Sequence, residues 1–298
     1  MSTKNTAMDS YPPPPVNTAG DLVESAKRAA AQQAVRDHLK PDYTHIGIGS
    51  GSTIKYVVET IAAMPKDITS KMMFVPTGSQ SRDLILHAKL PLVTTETLVL
   101  EKGNVPGLQF IDVCFDGADE VDPELNCIKG GGACHYREKM VAVMSKRFIC
   151  VADYRKKVPN LLTSWPGIPV EVVPEETEYV RLKLAKMGSR KPYVRSGLPG
   201  KAGPVVTDNG NNLIDAPFAP LLLSSERERE DRSKGLYTVE SLAYHISKIK
   251  GVFAVGLFSG LTGPEAKDQD EDGGEKPVMV YFGMQDGSVQ TMESSSRH

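Results

Sequence analysis

The spacing of apolar residues along the chain predicts helices and short buried strands that alternate. Helices are expected where apolar side chains recur every three or four residues, and strands where short apolar runs stand between turn residues. In the first half these patterns predict helices at residues 22–39, 54–64, 81–88 and 137–144, and strands at residues 44–48, 72–75, 110–115 and 148–151, with a further strand beginning at residue 92. Because single helices between strands imply right-handed crossovers, we expect a mainly parallel sheet with its ligand beyond the carboxyl ends of the strands.

The pattern changes after Lys157, where strands and helices follow each other in a mixed order. A strand is expected at residues 170–173, a helix at 180–186 that ends before Gly188, and another helix at 239–249. The turn residues 208–211, with the sequence Asp-Asn-Gly-Asn, separate two apolar pairs at 205–206 and 213–214, which is a hairpin signal. This order predicts a small α+β domain, after which strands at residues 252–258 and 278–282 rejoin the large sheet.

The predicted organisation is a large α/β domain at residues 21–158, a small α+β domain at 159–250, and a return to the large domain at 251–298. Residues 1–20 include Tyr11 and the run Pro12–Pro15, which predicts a disordered tail. Residues 262–276 are acidic and rich in Gly and Pro, so we expect a solvated loop there.

Composition limits the partners and the compartment. The formal net charge of the 298 residues is −2, so no global field favours nucleic acid or a membrane surface as a partner. No stretch approaches the roughly 20 apolar residues of a membrane span, and the N-terminus lacks a signal-peptide pattern. The cysteines stand in or beside apolar runs, which predicts reduced thiols in a cytoplasmic protein and, without further ligands near the Cys134-His135 pair, no metal. These cysteines are Cys114, Cys127, Cys134 and Cys150.

A glycine-rich loop at residues 47–53 lies between a predicted strand and a predicted helix. Glycines let the backbone approach a ligand, and the start of a helix offers free N–H groups and a positive dipole end. The sequence is not a P-loop, which needs Lys after the last Gly, nor a dinucleotide fingerprint, which needs a third Gly at position 52. We therefore predict a site for the phosphate of a small molecule, formed by Ser50, Gly51, Ser52 and Thr53.

Four carboxylates fall within residues 116–122, directly after the clearest strand. Such crowding costs free energy unless something compensates it. A turn, a helix cap or a divalent-metal loop is the alternative interpretation, although the segment lacks the twelve-residue pattern of a calcium loop. The residues of this segment that we expect at a ligand are Asp116, Gly117, Ala118 and Asp119.

A lysine before three glycines, followed by Glu138 at the start of a predicted helix, forms the third cluster. From spacing alone, an ordinary ion pair of Glu138 with Arg137 or Lys139 is the favoured interpretation. The combination of an anion loop, carboxylates, a lysine and a glutamate after strands of one sheet instead describes an aldose–ketose isomerase that works through an enediolate without metal or cofactor. The lysine-triglycine segment consists of Lys129, Gly130, Gly131 and Gly132.

Taken together, these segments resemble the ribose-5-phosphate isomerases of the A type, in family order from about residue 26 to 289. The segments that carry the resemblance are residues 46–53 (IGIGSGST), 115–123 (FDGADEVDP), 128–133 (IKGGGA), 137–139 (REK), 151–153 (VAD) with Lys156, 169–174 (PVEVVP) and 207–211 (TDNGN).

The resemblance implies interconversion of ribose 5-phosphate and ribulose 5-phosphate in the non-oxidative pentose phosphate pathway. In it, Glu138 matches the general base, Lys129 the enediolate-stabilising lysine, and Asp116 and Asp119 the carboxylates that handle hydroxyl protons. Lys156 matches a substrate-binding lysine, and Lys27 is aligned with a phosphate-contacting lysine. The implied fold is a Rossmann-like α/β domain with a smaller α+β, ferredoxin-like lid, and the implied assembly is a homodimer or homotetramer.

The sequence also departs from the family pattern and leaves alternatives. Ser50 stands where the family often has threonine, and the residues 134–136 (Cys-His-Tyr) replace more usual small or apolar residues before Arg137. One alternative is a non-catalytic sugar-phosphate sensor, although residues 1–20 are too short and proline-rich for a DNA-binding head. Another is a different enzyme of related fold, such as an amino-sugar phosphate deaminase or a coenzyme A transferase with a covalent glutamate.

Overall fold

The computed structural model describes residues 19–102 and 108–294. Its helices are α1 (Ala19–His38), α2 (Ile54–Ala62), α3 (Lys66–Thr69), α4 (Ser79–His87), α5 (Thr95–Lys102), α6 (His135–Val143), α7 (Thr177–Lys186), α8 (Val239–Ser247) and α9 (Gly263–Asp268). Its strands are β1 (His45–Ile48), β2 (Met73–Pro76), β3 (Val113–Asp116), β4 (Glu120–Val121), β5 (Cys127–Ile128), β6 (Phe148–Asp153), β7 (Ile168–Val172), β8 (Tyr193–Val194), β9 (Asn212–Ala216), β10 (Val252–Val255), β11 (Leu257–Phe258), β12 (Met279–Gly283) and β13 (Val289–Glu293).

The largest sheet has the strand order β13-β12-β6-β3-β1-β2, with every pair parallel except the antiparallel β12–β13 pair. Helices cover both faces, so its central strands are buried on both sides. Along β3, Val113 and Phe115 enter the core beneath α1 and α2, whereas Cys114 enters the core that contains residues of α5 and α6. This is the predicted Rossmann-like sheet, and two-sided burial explains why its strands are short continuous apolar runs. The strand order reverses between β1 and β3, which is where such sheets open a ligand crevice.

The second sheet has the order β10-β7-β9-β8, and all its pairs are antiparallel. Numbered within this unit, the strands follow the order 4-1-3-2, and the chain runs β7-α7-β8-β9-α8-β10. That is the ferredoxin-like βαββαβ arrangement, so the predicted smaller α+β unit is present. Its core packs α7 and α8 against the sheet, with Val180, Leu184, Leu242 and Ile246 fully buried.

A third sheet, in the order β11-β5-β4, lies where the chain passes between the two units. Leu257 pairs with Ile128, and Glu120 pairs with Ile128 from the other side. The backbone N–H of Lys129 continues this pairing by donating to the Gly256 carbonyl at 2.9 Å. The start of the lysine-triglycine segment is thereby fixed by backbone hydrogen bonds.

Several sequence expectations are wrong in detail. The strand expected from residue 92 is a single bridge between Leu92 and Phe74, and α5 follows it unpredicted. Residues 252–258 do not rejoin the large sheet, because β10 pairs with β7 and β11 with β5. Residues 262–276 are not a plain solvated loop, since they include α9, which Thr262 caps, and both Thr262 and Lys276 are buried. A six-residue helix is too short to show an apolar period in the sequence.

The tail expected at residues 1–20 also ends earlier, because α1 already includes Ala19 and Gly20. The remaining tail residues lie outside the described part of the chain. The domain boundaries at residues 158 and 250 stay predictions.

Candidate active site

A cavity of about 510 Å³ opens at the crevice between β1 and β3. The loops that follow β1, β3 and β6 meet there, as the parallel topology requires. Every predicted substrate-binding residue except Asp116 lines this cavity: Lys27, Ser50, Gly51, Ser52, Thr53, Gly117, Ala118, Asp119, Lys129, Gly130, Gly131, Gly132 and Lys156. Asp116 lies directly behind the wall and contacts Lys129.

Lys129 stands between two buried carboxyl groups. Its Nζ lies 2.9 Å from Asp116 Oδ2 and 3.2 Å from Glu138 Oε2, and it donates to the Gly117 carbonyl at 2.5 Å. The exposed fractions of Lys129, Asp116 and Glu138 are 3%, 1% and 4%. The two side chains that the sequence assigned to proton transfer and charge stabilisation therefore converge on one place.

Burial and mutual charge set the protonation of this cluster. Burial, and then the charge of Glu138, raise the pKa of Asp116 to about 7 despite the nearby ammonium. Burial by itself would lower the pKa of Lys129, but the charges of Asp116 and Glu138 outweigh it and raise that pKa above its ordinary value. Near neutral pH the cluster thus holds a stable ammonium beside a carboxyl group that is ready to gain or lose a proton.

Glu138 is held in place from the glycine-rich loop. The Ser50 hydroxyl donates to Glu138 Oε1 at 2.6 Å, while Glu138 Oε2 faces Lys129 and has no hydrogen-bond partner among the described residues. The simple surface ion pair is excluded, because Lys139 pairs with Glu275 and Arg137 lies beside Asp208. A buried carboxylate oxygen that forms an ion pair but no hydrogen bond is a group that can accept a proton.

Asp116, at the end of β3, and Asp119, just after it, are fixed by backbone N–H groups. Asp116 Oδ1 accepts from Ser50 N at 3.1 Å and from Gly117 N at 2.7 Å, and Asp119 Oδ2 accepts from Gly131 N at 2.7 Å. Glycine is required at position 49, since a Cβ there would lie 1.9 Å from Asp116 Oδ1. Burial raises the pKa of Asp119.

The other end of the cavity carries donors for an anion. Lys27 is buried on α1, and its Nζ lies 2.9 Å from Ser52 Oγ and 2.7 Å from Glu24 Oε1. Gly51 has φ +95°, a left-handed conformation that favours glycine, and it turns the chain into α2. The structure therefore places Lys27 beside the glycine-rich loop. In the sequence, only the alignment of a helix with few motif residues had matched Lys27 to a phosphate-contacting lysine.

Gln80 and Arg155 line the cavity although they lie outside every segment that the sequence singled out. Gln80 Oε1 accepts the Gly51 N–H at 2.8 Å, and Arg155 binds both oxygens of Asp153 at 2.6 and 3.0 Å. Gln80 follows β2 and Arg155 follows β6. Because ligands bind beyond the carboxyl ends of parallel strands, the topology indicated both segments but not these particular residues. Next to Arg155, Lys156 places its Nζ 5.1 Å from the centre of the Trp165 ring, a cation–π contact.

Residues 134–136, which depart from the family pattern, lie at the start of α6, directly before Arg137 and Glu138. Cys134 lines the cavity, half-buried, and burial raises the pKa of its thiol to about 12. His135 is fully buried against Gly130, and Tyr136 packs on Phe253 with ring centres 4.5 Å apart. In residues 19–102 and 108–294, no three His, Cys, Asp or Glu side chains form a group that could hold a metal ion.

The chain is similar to known proteins in sequence and in fold. Residues 73–265 match the family described as ribose 5-phosphate isomerase A (phosphoriboisomerase A). The chain is 46% identical over 268 residues to a ribose-5-phosphate isomerase of Mycosarcoma maydis, covering 90% of this chain and 80% of that one. It is 42% identical over 289 residues to the Saccharomyces cerevisiae ribose-5-phosphate isomerase, covering 93% and 96%.

The chain belongs to the ribose 5-phosphate isomerase A family. It is therefore an isomerase. The structure of the Methanocaldococcus jannaschii ribose 5-phosphate isomerase A superposes with a TM-score of 0.70 at 30% identity, over 91% of this chain and 99% of that one. A D-ribose-5-phosphate isomerase in complex with phospho-erythronic acid superposes with a TM-score of 0.71 at 29% identity, over the same shares. None of the helices in the described part of this family member is long and apolar enough to span a membrane.

Proposed function

We propose that the protein interconverts D-ribose 5-phosphate and D-ribulose 5-phosphate through an enediolate, with Glu138 as the base. The observation that carries the proposal is the contact of the Lys129 ammonium with Glu138, at 3.2 Å, in a cavity whose far end is a glycine-rich helix start. A carboxylate and an ammonium that share one carbon pair are the groups that an aldose–ketose isomerisation needs.

We infer the proton route from the contacts of Glu138 and Lys129. Glu138 Oε2 removes the proton from C2 of the open-chain aldose, and the electron pair moves into a C1–C2 double bond while O1 becomes negative. The Lys129 ammonium stabilises that oxygen. Transfer of that proton from Glu138 to C1, with loss of the O2 proton and protonation of O1, gives the ketose. Asp116 and Asp119 carry the hydroxyl protons, for which the pKa of Asp116 near 7 is suited.

The phosphate is proposed to bind at the start of α2. Ser52 and Thr53 offer hydroxyls there, Lys27 offers an ammonium, and the helix start offers N–H groups and a positive dipole end. Ser50 reaches the base while Ser52 reaches Lys27, so this one loop runs from the reacting carbons to the phosphate. Lys156 also lines the cavity and offers a further ammonium.

Names and ligands of related proteins support this substrate. The relatives above are named for ribose 5-phosphate, and one neighbour holds phospho-erythronic acid, a phosphorylated sugar acid. In this cavity such a carboxylate would meet Lys129 as the enediolate oxygens do. We further propose a place in the non-oxidative pentose phosphate pathway, a cytoplasmic location and a homo-oligomer, with no nucleic-acid or membrane partner; the location and the assembly stay predictions.

The first experiment is an assay of the purified protein with ribose 5-phosphate in the presence of EDTA, following ribulose 5-phosphate. We expect turnover, and we expect Glu138→Gln to lower kcat at least about a hundredfold, within the usual contribution of a general base. Glu178→Gln, on an exposed face of α7, is the matched control and should behave as wild type. Near-normal turnover by Glu138→Gln would remove this residue from the role of base.

A further inference from the structure

Arg195, a residue of the ferredoxin-like unit, holds the triglycine loop (Gly130–Gly132) from behind. Its Nη1 donates to the Gly130 carbonyl at 2.9 Å and to the Gly131 carbonyl at 3.0 Å. The rest of its guanidinium binds Asp215 with two parallel hydrogen bonds, Nε to Oδ2 at 2.8 Å and Nη2 to Oδ1 at 2.5 Å. Arg195 does not line the cavity, whereas all three glycines do.

The Arg195 guanidinium is itself held in a fixed position. Asp215 is a buried residue of β9, only 4% exposed, and the Arg195 backbone N–H donates to the Leu213 carbonyl at 2.8 Å, which extends the β8–β9 pairing by one residue. A guanidinium that makes a two-point pair with a carboxylate has a fixed plane. Its remaining N–H groups therefore point at fixed positions, and the two loop carbonyls occupy them.

The held loop in turn fixes two residues of the proposed mechanism. The Gly131 N–H donates to Asp119 Oδ2 at 2.7 Å, so the N–H of this glycine orients Asp119 while its carbonyl binds Arg195. Lys129 directly precedes the loop. Gly130 has φ +111°, a conformation open to glycine and rarely to other residues. Three successive glycines have little conformational preference of their own, so their geometry depends on such contacts.

We propose that Arg195, supported by Asp215, is a positioning residue of the isomerisation: it sets the triglycine loop, and through that loop Asp119 and Lys129, in the reactive arrangement. The inference rests on the proposed function. It assigns the ferredoxin-like unit a part in catalysis, although the predicted acid–base residues all lie outside that unit. Misplacement by about 1 Å is enough to cost a factor of about a hundred in rate, so a loosened loop should be visible in turnover.

The test compares Arg195→Gln and Arg195→Lys with wild type and with Arg181→Gln. Arg181 is the matched control because it makes a similar two-point pair, with Glu178, in the same unit but on the exposed face of α7. We measure kcat and KM for ribose 5-phosphate, and the melting temperature of each variant. We expect kcat to fall about 10- to 100-fold in Arg195→Gln, and less in Arg195→Lys, with KM within about threefold of wild type and Arg181→Gln unchanged.

A purely structural role gives a different result. Arg195→Gln would then melt at a lower temperature but keep the wild-type kcat when assayed below that temperature, and this outcome overturns the inference. Should Arg195→Gln fail to fold, the kcat of Arg195→Lys tests the inference by the same criterion, because lysine keeps the positive charge but lacks the planar guanidinium. A wild-type protein that does not convert ribose 5-phosphate would overturn the proposed function as well, whereas active wild type with active Arg195 variants overturns this inference only.

Discussion

Burial gives chemically identical groups different properties at different positions of this chain. Burial raises the pKa of Asp122 to about 6, although Asn126 donates to its carboxylate. Burial acts in the same direction on Asp153, but there the Arg155 guanidinium outweighs it and the pKa falls below its usual range. The partner of each carboxyl group, rather than its residue type, therefore decides which one can exchange protons near neutral pH.

His135 provides a residue-scale test of buried charge. Burial lowers its pKa from 6.5 to about 4, so the unfolded chain binds the proton between these values and the folded chain does not. The contribution of His135 to stability is thus present above pH 6.5 and is lost as the pH falls towards 4. We expect wild type to lose about 2 kcal/mol more than His135→Gln between pH 7 and pH 5, measured by urea unfolding.

The exposed His87 on α4 supplies the control. His87→Gln should keep the wild-type difference in unfolding free energy between the two pH values. Equal pH dependence of wild type and His135→Gln would show that His135 is protonated as easily in the folded protein as in the unfolded chain.

At the scale of elements, α6 carries the proposed base and is tied to the segment around α9. Lys139, the residue after Glu138, donates to the Leu257 carbonyl at 2.8 Å and pairs with Glu275. Gly273 lies so close to the end of α6 that a Cβ there would be 2.0 Å from the Val143 carbonyl oxygen. The acidic segment at residues 262–276 thus packs against α6, a contact that its composition did not indicate.

A double-mutant cycle measures the coupling between Lys139 and Glu275. Glu275→Gln leaves the mostly buried Lys139 ammonium without its carboxylate, and we expect a loss of about 1–2 kcal/mol, below the value for a fully buried pair because a third of Glu275 is exposed. Lys139→Met combined with Glu275→Gln should cost little more than Lys139→Met. Unfolding free energies that add to within about 0.5 kcal/mol would show that the pair is not coupled.

Local pattern predicted most helices and the central strands, because their apolar period is set by burial. It failed for β10 and β11, since a strand of four or two apolar residues carries no information about which sheet it joins. It also missed α5, which has one fully buried apolar residue, Leu98, and exposes Val99 and Leu100. A helix that buries so narrow a stripe gives a weak sequence signal.

At the scale of the whole molecule, the turn at residues 207–211 connects the ferredoxin-like unit to the large sheet domain. Asp208 Oδ2 accepts from the backbone N and the hydroxyl of Ser79, both at 2.9 Å, at the start of α4. Arg137 donates to the Asp208 carbonyl at 3.1 Å and to Asn209 Oδ1 at 3.2 Å. Arg137, the residue before the proposed base, therefore contacts the ferredoxin-like unit. Arg195 of that unit contacts the triglycine loop.

Asp208→Ala should loosen this connection. It removes the acceptor of an otherwise free N–H at the first turn of α4, and we expect a loss of about 1–2 kcal/mol in unfolding free energy. Amide hydrogen exchange should become faster at residues 79–82 and 207–211 and stay unchanged in β1. Asp286→Ala, in the exposed β12–β13 turn, is the control. Exchange that changes equally in both variants would contradict a specific contact between the units.

The sequence by itself indicated most of the residues that line the cavity and the chemistry they offer. The order of apolar runs predicts a parallel sheet, a parallel sheet places the ends of β1 and β3 at one edge, and the polar residues at those ends include Ser50, Ser52, Thr53, Asp116 and Asp119. Lys156 came from the family resemblance. That step uses only local information, because each helix or strand is predicted from the residues next to it in the sequence.

Only the tertiary structure decided which partners these residues have. From spacing alone Glu138 would be half of a surface ion pair, whereas the fold places it beside Lys129 and Ser50, nine and 88 positions away, by packing α6 behind the crevice. It also brought Arg195 to the triglycine loop across 64 residues. Such pairings depend on how whole elements pack, and a side chain that meets its partner through packing leaves no periodic trace in the sequence around it.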